Sequence, residues 1–403
     1  MNRTTVTVVL GTLLLCIVGR VVYVEWVPGP LDRSRILRAC DFQVFYLSGK
    51  MIAQGEAARL YDHPHLQELQ GTLAPLDNER NPPGFLFYPP MAPLLVSPLS
   101  RLPYQPAVAI WWLTQAICFL AAGWLLRAEI RIEAAWRPAA WLALLAFYPL
   151  WDTVLRGQLS AVLLLAVAGA FRLQRGRHPI WAGLVLSLLA MKPQFFVGGL
   201  LWLLLRRDWR TAAATAGGLM LQLAVVAAIL GPSVLAGYVS DWPVCANLSL
   251  IYHLAPWAEH GLGITAENVF AALGCNATAS HHAGMLLQLL VAAGAAWLLL
   301  HVIPAPGSPP SPQEQAGAVL FMLLVTPHVL LYDLSLLAVP LVCLWSSGRW
   351  RLGAVLYLAT SALAIPVYDR VGFSIVPAVL LAGLFRLRRS RRQPHALATQ
   401  SVV

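Results

Sequence analysis

The chain has 403 residues, 58% of them apolar and 11% charged, with a mean hydropathy of +0.66. A soluble globular protein carries about a quarter charged residues, so the composition excludes that class and indicates an all-α polytopic integral membrane protein. The net charge of +10 does not argue for nucleic acid, because Lys and Arg fall in small clusters between apolar segments, as orientation signals do.

In chain order, the first apolar run follows Arg3 and has no small-x-small cleavage pattern, so Met1 to Trp26 is expected to stay as a signal anchor with a cytosolic amino terminus. Apolar stretches at 5–24, 105–126, 136–151, 157–173, 179–191, 194–205, 211–230, 283–303, 316–328, 334–346, 352–366 and 374–386 predict about twelve transmembrane helices, several of them short. An even number returns the carboxyl terminus to the cytosol. The turns then assigned to the inside hold Arg127, Arg131 and Arg137, Arg172, Arg175 and Arg177, Arg206, Arg207 and Arg210, and Arg349 and Arg351, and the tail 387–403 is basic as well. This asymmetry agrees with the positive-inside rule for a protein of the cell membrane. The one inside turn without basic residues, 304–315, is proline-rich and reads as a spacer.

Most acids fall on the other side, in a first outer loop at 25–104 and a second at 231–282, so chemistry is expected on the outer face. In the first loop Asp41 opens CDFQVFYLSGKMIAQ, a short amphipathic outer-loop helix predicted to lie in the membrane interface. Asp41 there is either the N-cap of that helix or a base placed where a lipid-borne substrate can reach it. A second helix is predicted near 61–71. The second loop is rich in Trp, Tyr and His, and it carries Cys245 and Cys275, whose pairing would close a ring of about thirty residues with Cys40 as a competing thiol.

A further set of polar residues occurs at the outer ends of spans. Asp152, Arg156, Gln158 and Ser160 form WDTVLRGQLS, Lys192 stands in AMKPQF, and His328, Tyr332 and Asp333 form TPHVLLYDLS. Basic residues at an outer boundary run against the orientation bias, and a phosphate would give them a reason, since ammonium and guanidinium groups are its usual partners. Plainer readings stand beside this one. Arg156 can pair with Asp152 one helical turn away, Lys192 can snorkel to headgroups, His328 can be an interfacial histidine, and Asp333 can be a helix cap. The sequence contains no Asp-x-Asp, His-x-x-x-His or paired-cysteine metal motif and no glycine-rich nucleotide cradle. No cofactor is therefore expected, and a donor must come from the membrane.

These residues resemble the polyprenol-phosphate-mannose-dependent mannosyltransferases of glycosyltransferase family 87. The resemblance rests on the Asp41 segment with Tyr61-Asp62, on FLFYPPMAPLLVSPLSRLP at 85–103, RGQLSAVLLLAVAGAFRLQRGR at 156–177, AGLVLSLLAMKPQFFVGGLLWLLLRRDWR at 182–210 and TPHVLLYDLSLL at 326–337. It implies a single GT-C-like transmembrane domain over 1–403, with Asp41 as catalytic base. Arg156, Gln158, Lys192 and His328 would bind the donor phosphate and sugar, and Tyr88, Asp152, Tyr332 and Asp333 would serve the acceptor or support those groups. Ser160 stands where the family often has Asn after Gly-Gln-x. The implied partners are a polyprenyl-phosphate sugar, a lipid- or glycan-linked acceptor and membrane lipids. The competing class is a polytopic lipid or sugar transporter or flippase, which would place its polar groups near the bilayer midplane between repeats. Here they collect at span ends, and no internal repeat is evident.

Overall fold

In hydrocarbon a helix satisfies every backbone N–H and C=O internally, and each apolar stretch read from the sequence is helical for that reason. The computed structural model describes residues 2–26, 39–76, 83–127, 132–246, 260–303 and 308–389, with no β-strand among the described residues. Helix α1 (Arg3–Trp26) precedes a first loop region holding α2 (Phe42–Ala53), α3 (His63–Leu73) and α4 (Met91–Val96). Then come α5 (Tyr104–Leu126), α6 (Arg137–Leu145), α7 (Tyr148–Arg156), α8 (Ser160–Arg175), α9 (Pro179–Leu186), α10 (Pro193–Arg206) and α11 (Trp209–Leu230). A second loop region holds α12 (Pro232–Ser240), α13 (Trp242–Ala246) and α14 (Leu262–Ala272). The chain continues through α15 (Ala277–Leu300), α16 (Pro312–Val325), α17 (Ala338–Ser346), α18 (Trp350–Tyr357), α19 (Ala364–Val371) and α20 (Val376–Arg389).

The chain is a polytopic membrane protein, and its twelve apolar stretches divide by length. Among the described residues, Arg3–Tyr23, Tyr104–Leu126, Ala134–Arg156, Trp209–Leu230 and Ala277–Leu300 are long and apolar enough to cross a bilayer. Pro179–Met191, Pro193–Arg206 and Leu331–Ser346 are shorter, and α18 and α19 form a pair bent by 61°. Proline explains one of these breaks. Pro193 takes the first position of α10, where its missing N–H costs nothing, and the residue before it, Lys192, adopts extended geometry at φ −129 and ends the preceding 3-10 turn.

Helices α10 and α16 run antiparallel with their axes close together. A Cβ built on Gly198 would lie 3.0 Å from the Met322 backbone, so glycine is what permits this approach. At one end the Thr326 hydroxyl lies 3.5 Å from the Gln194 carbonyl. At the other, the Arg206 guanidinium donates to the Glu314 carboxylate and to the Ser308 carbonyl. Glu314 is the third residue of α16, and its N–H donates to the Ser311 hydroxyl, a side-chain cap of the helix start.

Two expectations need correction. Helix α2 does not present a free apolar face: Phe42, Phe45, Tyr46, Leu47 and Met51 are all buried, and α3, α4 and α5 cover it. Its sequence is apolar around most of its circumference, which suits burial on all sides. The proline-rich stretch 304–315 is not a spacer throughout, because α16 starts at Pro312 and Ser308 and Glu314 bind Arg206. Residues 304–307 lie outside the described ones, as do 390–403 of the basic tail. So does the side chain of Cys245, while Cys275 is exposed.

Candidate active site

The site begins at Gly157. This residue closes α7 in the left-handed conformation, φ +72, and a Cβ there would sit 2.6 Å from that of Phe42. Only glycine satisfies both demands. The close approach lets the Asp41 N–H donate to the Arg156 carbonyl at 3.0 Å, which docks the start of α2 on the end of α7. Phe42 stacks on Trp111, with ring centroids 5.6 Å apart, and the Trp111 indole donates to the Gly157 carbonyl at 2.8 Å.

Docked in this way, Asp41 occupies the N-cap position of α2 but makes no capping hydrogen bond. Its carboxylate instead accepts from the Gln158 amide at 2.7 Å and from the Cys40 thiol at 3.3 Å. The Tyr88 hydroxyl donates to the Gln158 carbonyl oxygen at 2.6 Å, fixing which end of that amide faces Asp41. Phe45 packs edge-on against the Tyr88 ring at 4.7 Å.

The other two carboxylates of the cluster are held by cations. Arg156 donates to both oxygens of Asp152 at 3.2 Å, the one-turn pair that the sequence allows. Lys192 is buried and does not snorkel: its ammonium donates to Asp333 at 2.5 Å and lies 4.4 Å from the Tyr332 ring centroid and 5.6 Å from that of Tyr88. Asp333 also accepts from the Ser160 hydroxyl at 2.9 Å and from the Leu330 N–H at 3.2 Å. With each oxygen occupied and 1% of the residue exposed, Asp333 is an anchor for Lys192. Asp152 is likewise buried, whereas Asp41 is half-buried and its two donors are neutral.

A cavity of about 650 Å³ opens beside this cluster. Tyr88, Lys192, His328, Tyr332 and Asp333 line it; Asp41, Asp152, Arg156 and Gln158 do not. Tyr88 joins the two groups, facing the cavity and bonding to Gln158. The Arg156 guanidinium carbon lies 6.0 Å from the Tyr332 ring centroid. Sequence reading brought all nine of these residues forward but missed Ser160 as the partner of Asp333. It also missed the cavity residues of the second loop region, Tyr238, Trp242, Glu267 and His281, where the only signal was a general richness in aromatics and histidine.

The sequence profile of glycosyltransferase family 87 matches residues 85–327, more than half of the chain. The chain belongs to glycosyltransferase family 87. The matched segment holds Tyr88, Asp152, Arg156, Gln158 and Lys192, while Asp41, His328, Tyr332 and Asp333 flank it. No curated protein and no solved structure matches the chain. The molecule is therefore a membrane glycosyltransferase whose family segment delivers the Gly-Gln and Lys-Pro elements of the cluster.

Proposed function

We propose that this glycosyltransferase transfers a hexose, mannose in the first instance, from a polyprenyl-phosphate sugar to a hydroxyl of a lipid- or glycan-linked acceptor, with inversion and with Asp41 as general base. The observation that carries the reading is the contrast among the three carboxylates: Asp152 and Asp333 are buried on cations, and Asp41 is half-buried on neutral donors. A carboxylate already paired with a cation is a poor proton acceptor. One held by an amide and a thiol is oriented by both and has no ion pair to break when it takes a proton.

The chemistry fits this inventory. Glycosidases protonate an alkoxide leaving group and so use two opposed carboxylates, but a lipid phosphate departs as a stable anion and needs no acid. It needs cations where charge develops. Lys192, which lines the cavity with His328, is better placed for that role than Arg156, which does not line it. Gln158 and Tyr88 would then be positioning residues, holding Asp41 beside the polar end of the cavity.

The test is to incubate the purified chain in nanodiscs with radiolabelled undecaprenyl-phosphate mannose and a lipid extract of the source cells. A labelled lipid or glycan product is expected, absent with Asp41→Asn. Donor that stays intact in every condition, or product formed equally by the variant, would overturn the reading. We place the reaction on the outer face of the cell membrane with both termini in the cytosol, on the basis of the arginine asymmetry. Glu68, whose side chain is 79% exposed, is a suitable reporter in the first loop region, and exposed Pro309 is one in the inner turn. In a background carrying Cys245→Ser and Cys275→Ser, Glu68→Cys should react with an impermeant thiol reagent on intact cells and Pro309→Cys should not. The reverse pattern would invert the protein.

A further inference from the structure

The cavity has a second polar wall that the transfer chemistry does not use. Helices α12 to α15 supply it with Tyr238, Trp242, Glu267 and His281. Trp242 opens α13 with 53% of its surface exposed, and it meets Tyr238 edge-on at 6.2 Å. The pair is braced from the first loop region. Tyr61 packs on Tyr238 at 5.6 Å and donates its hydroxyl to the Tyr88 carbonyl at 3.0 Å, and His63 Nε2 lies 2.9 Å from the carboxylate of Asp241, the residue before Trp242. Glu267 and His281 are 3.3 Å apart on neighbouring helices, brought together because a Cβ on Gly284 would lie 2.7 Å from the Gly263 carbonyl.

We propose that this wall is a subsite for a neutral pyranose of the acceptor, with Trp242 and Tyr238 as the stacking platform and Glu267 and His281 as hydrogen-bonding partners of ring hydroxyls. The inference rests on the cavity being the substrate cavity of the proposed transferase. Three features select a neutral sugar. An exposed indole in a cavity gives the apolar face of a pyranose a flat surface to cover, while its rigid ring loses little freedom on binding. A carboxylate and an imidazole together accept and donate, which suits hydroxyls that do both. An anionic group would meet the Glu267 carboxylate on this wall, and Lys192, the lysine among the described lining residues, is assigned to the donor phosphate. A volume of about 650 Å³ lies within the range of roughly 300–1,000 Å³ in which pockets enclose small ligands.

The donor carries a sugar too, and the experiment separates the two sources. The full chain in nanodiscs is titrated with octyl α-mannopyranoside, octanol and undecaprenyl phosphate, followed by saturation-transfer NMR or displacement of a labelled probe. The mannoside should bind at least tenfold more tightly than octanol. Glu267→Gln and Trp242→Ala should each weaken the mannoside about tenfold or more, as expected for losing a charged hydrogen-bonding partner or a stacking ring, and leave undecaprenyl phosphate unchanged. The mannoside should stay bound when the protein is saturated with undecaprenyl-phosphate mannose. Displacement under that condition would assign the wall to the donor sugar and overturn the proposal, as would a mannoside that binds no better than octanol or is indifferent to both substitutions. If undecaprenyl phosphate fails to bind while the mannoside remains sensitive to Glu267→Gln, the donor assignment falls and the subsite stands.

Discussion

The two ends of the α10–α16 pair carry the same chemistry in different surroundings. Lys192 meets Asp333 at one end and Arg206 meets Glu314 at the other, and all four residues are 6% exposed or less. At the Arg206 end the guanidinium also donates to the Ser308 carbonyl and lies 3.8 Å from the Asp208 carboxylate, so its partners are all within the protein. At the Lys192 end the ammonium faces two tyrosine rings and a cavity of about 650 Å³, with a third carboxylate, Asp41, linked through Gln158 and Tyr88. A buried ion pair is therefore not a mark of function in this molecule. Access for a ligand and a neighbouring carboxylate free of a direct cation are what distinguish the two ends.

Substitutions at each end sharpen that contrast. The largest effect is expected from Asp41→Asn, because a positioned general base contributes about 10²- to 10⁴-fold to turnover. Stability to thermal unfolding should shift by no more than about 1–2 kcal/mol, since Asp41 makes no cap bond and Asn keeps one oxygen to accept from Gln158. Lys192→Gln should cost transfer about 10²- to 10³-fold, the usual penalty for removing one charge-stabilising donor. Its Kd for undecaprenyl phosphate should rise as well. A variant that binds and turns over like the parent would reduce Lys192 to an anchor of Asp333.

At the opposite end, Glu314→Gln should lower stability by up to about 3 kcal/mol, because Arg206 loses its hydrogen-bonded carboxylate and keeps only Asp208, 3.8 Å away, as counter-charge. The fraction that remains folded should transfer sugar at the parental rate, read by normalising activity to folded protein from size-exclusion profiles. A loss of specific activity without a loss of stability would contradict the division between the two ends.

A smaller effect separates the ends by pH. His260 packs beside the site: its N–H donates to the Val329 carbonyl at 2.6 Å, and its Nδ1 lies 2.9 Å from the Ser374 hydroxyl. Burial pushes its imidazole down to about 4 from the usual 6.5. Unfolding then takes up a proton between those values, so this contribution is complete above about pH 6.5 and is lost as pH falls toward 4, amounting to roughly 3 kcal/mol. His260→Gln, which keeps a hydrogen-bonding side chain without titrating, should flatten the acid limb of the melting temperature measured from pH 7 to pH 4. An unchanged limb would assign acid sensitivity elsewhere.

Local features of the site were legible in the sequence where one residue forces one geometry. The Lys192-Pro193 step announces a helix boundary, whereas the left-handed turn at Gly157 emerged only from the structure. The helical membrane class followed from composition alone. What remained hidden depended on contacts between distant segments. Lys192 and Asp333 are 141 residues apart and Asp41 and Gln158 are 117 apart, so their pairing is set by packing of whole helices. The position of α2 was misread because a helix apolar on most sides looks alike whether it meets lipid or protein. Twelve apolar stretches did not become twelve full-length helices, since hydropathy registers burial in the protein and immersion in lipid equally.

The most direct measurement is a single-turnover chase with Asp41→Asn in nanodiscs, preloaded with labelled undecaprenyl-phosphate mannose and then mixed with a lipid extract of the source cells. The account predicts donor bound at the parental stoichiometry and a rate of label transfer at least about 10²-fold below the parent, consistent with loss of a general base. Transfer within a few-fold of the parent would contradict it and leave the half-buried carboxylate of Asp41 with only a structural role.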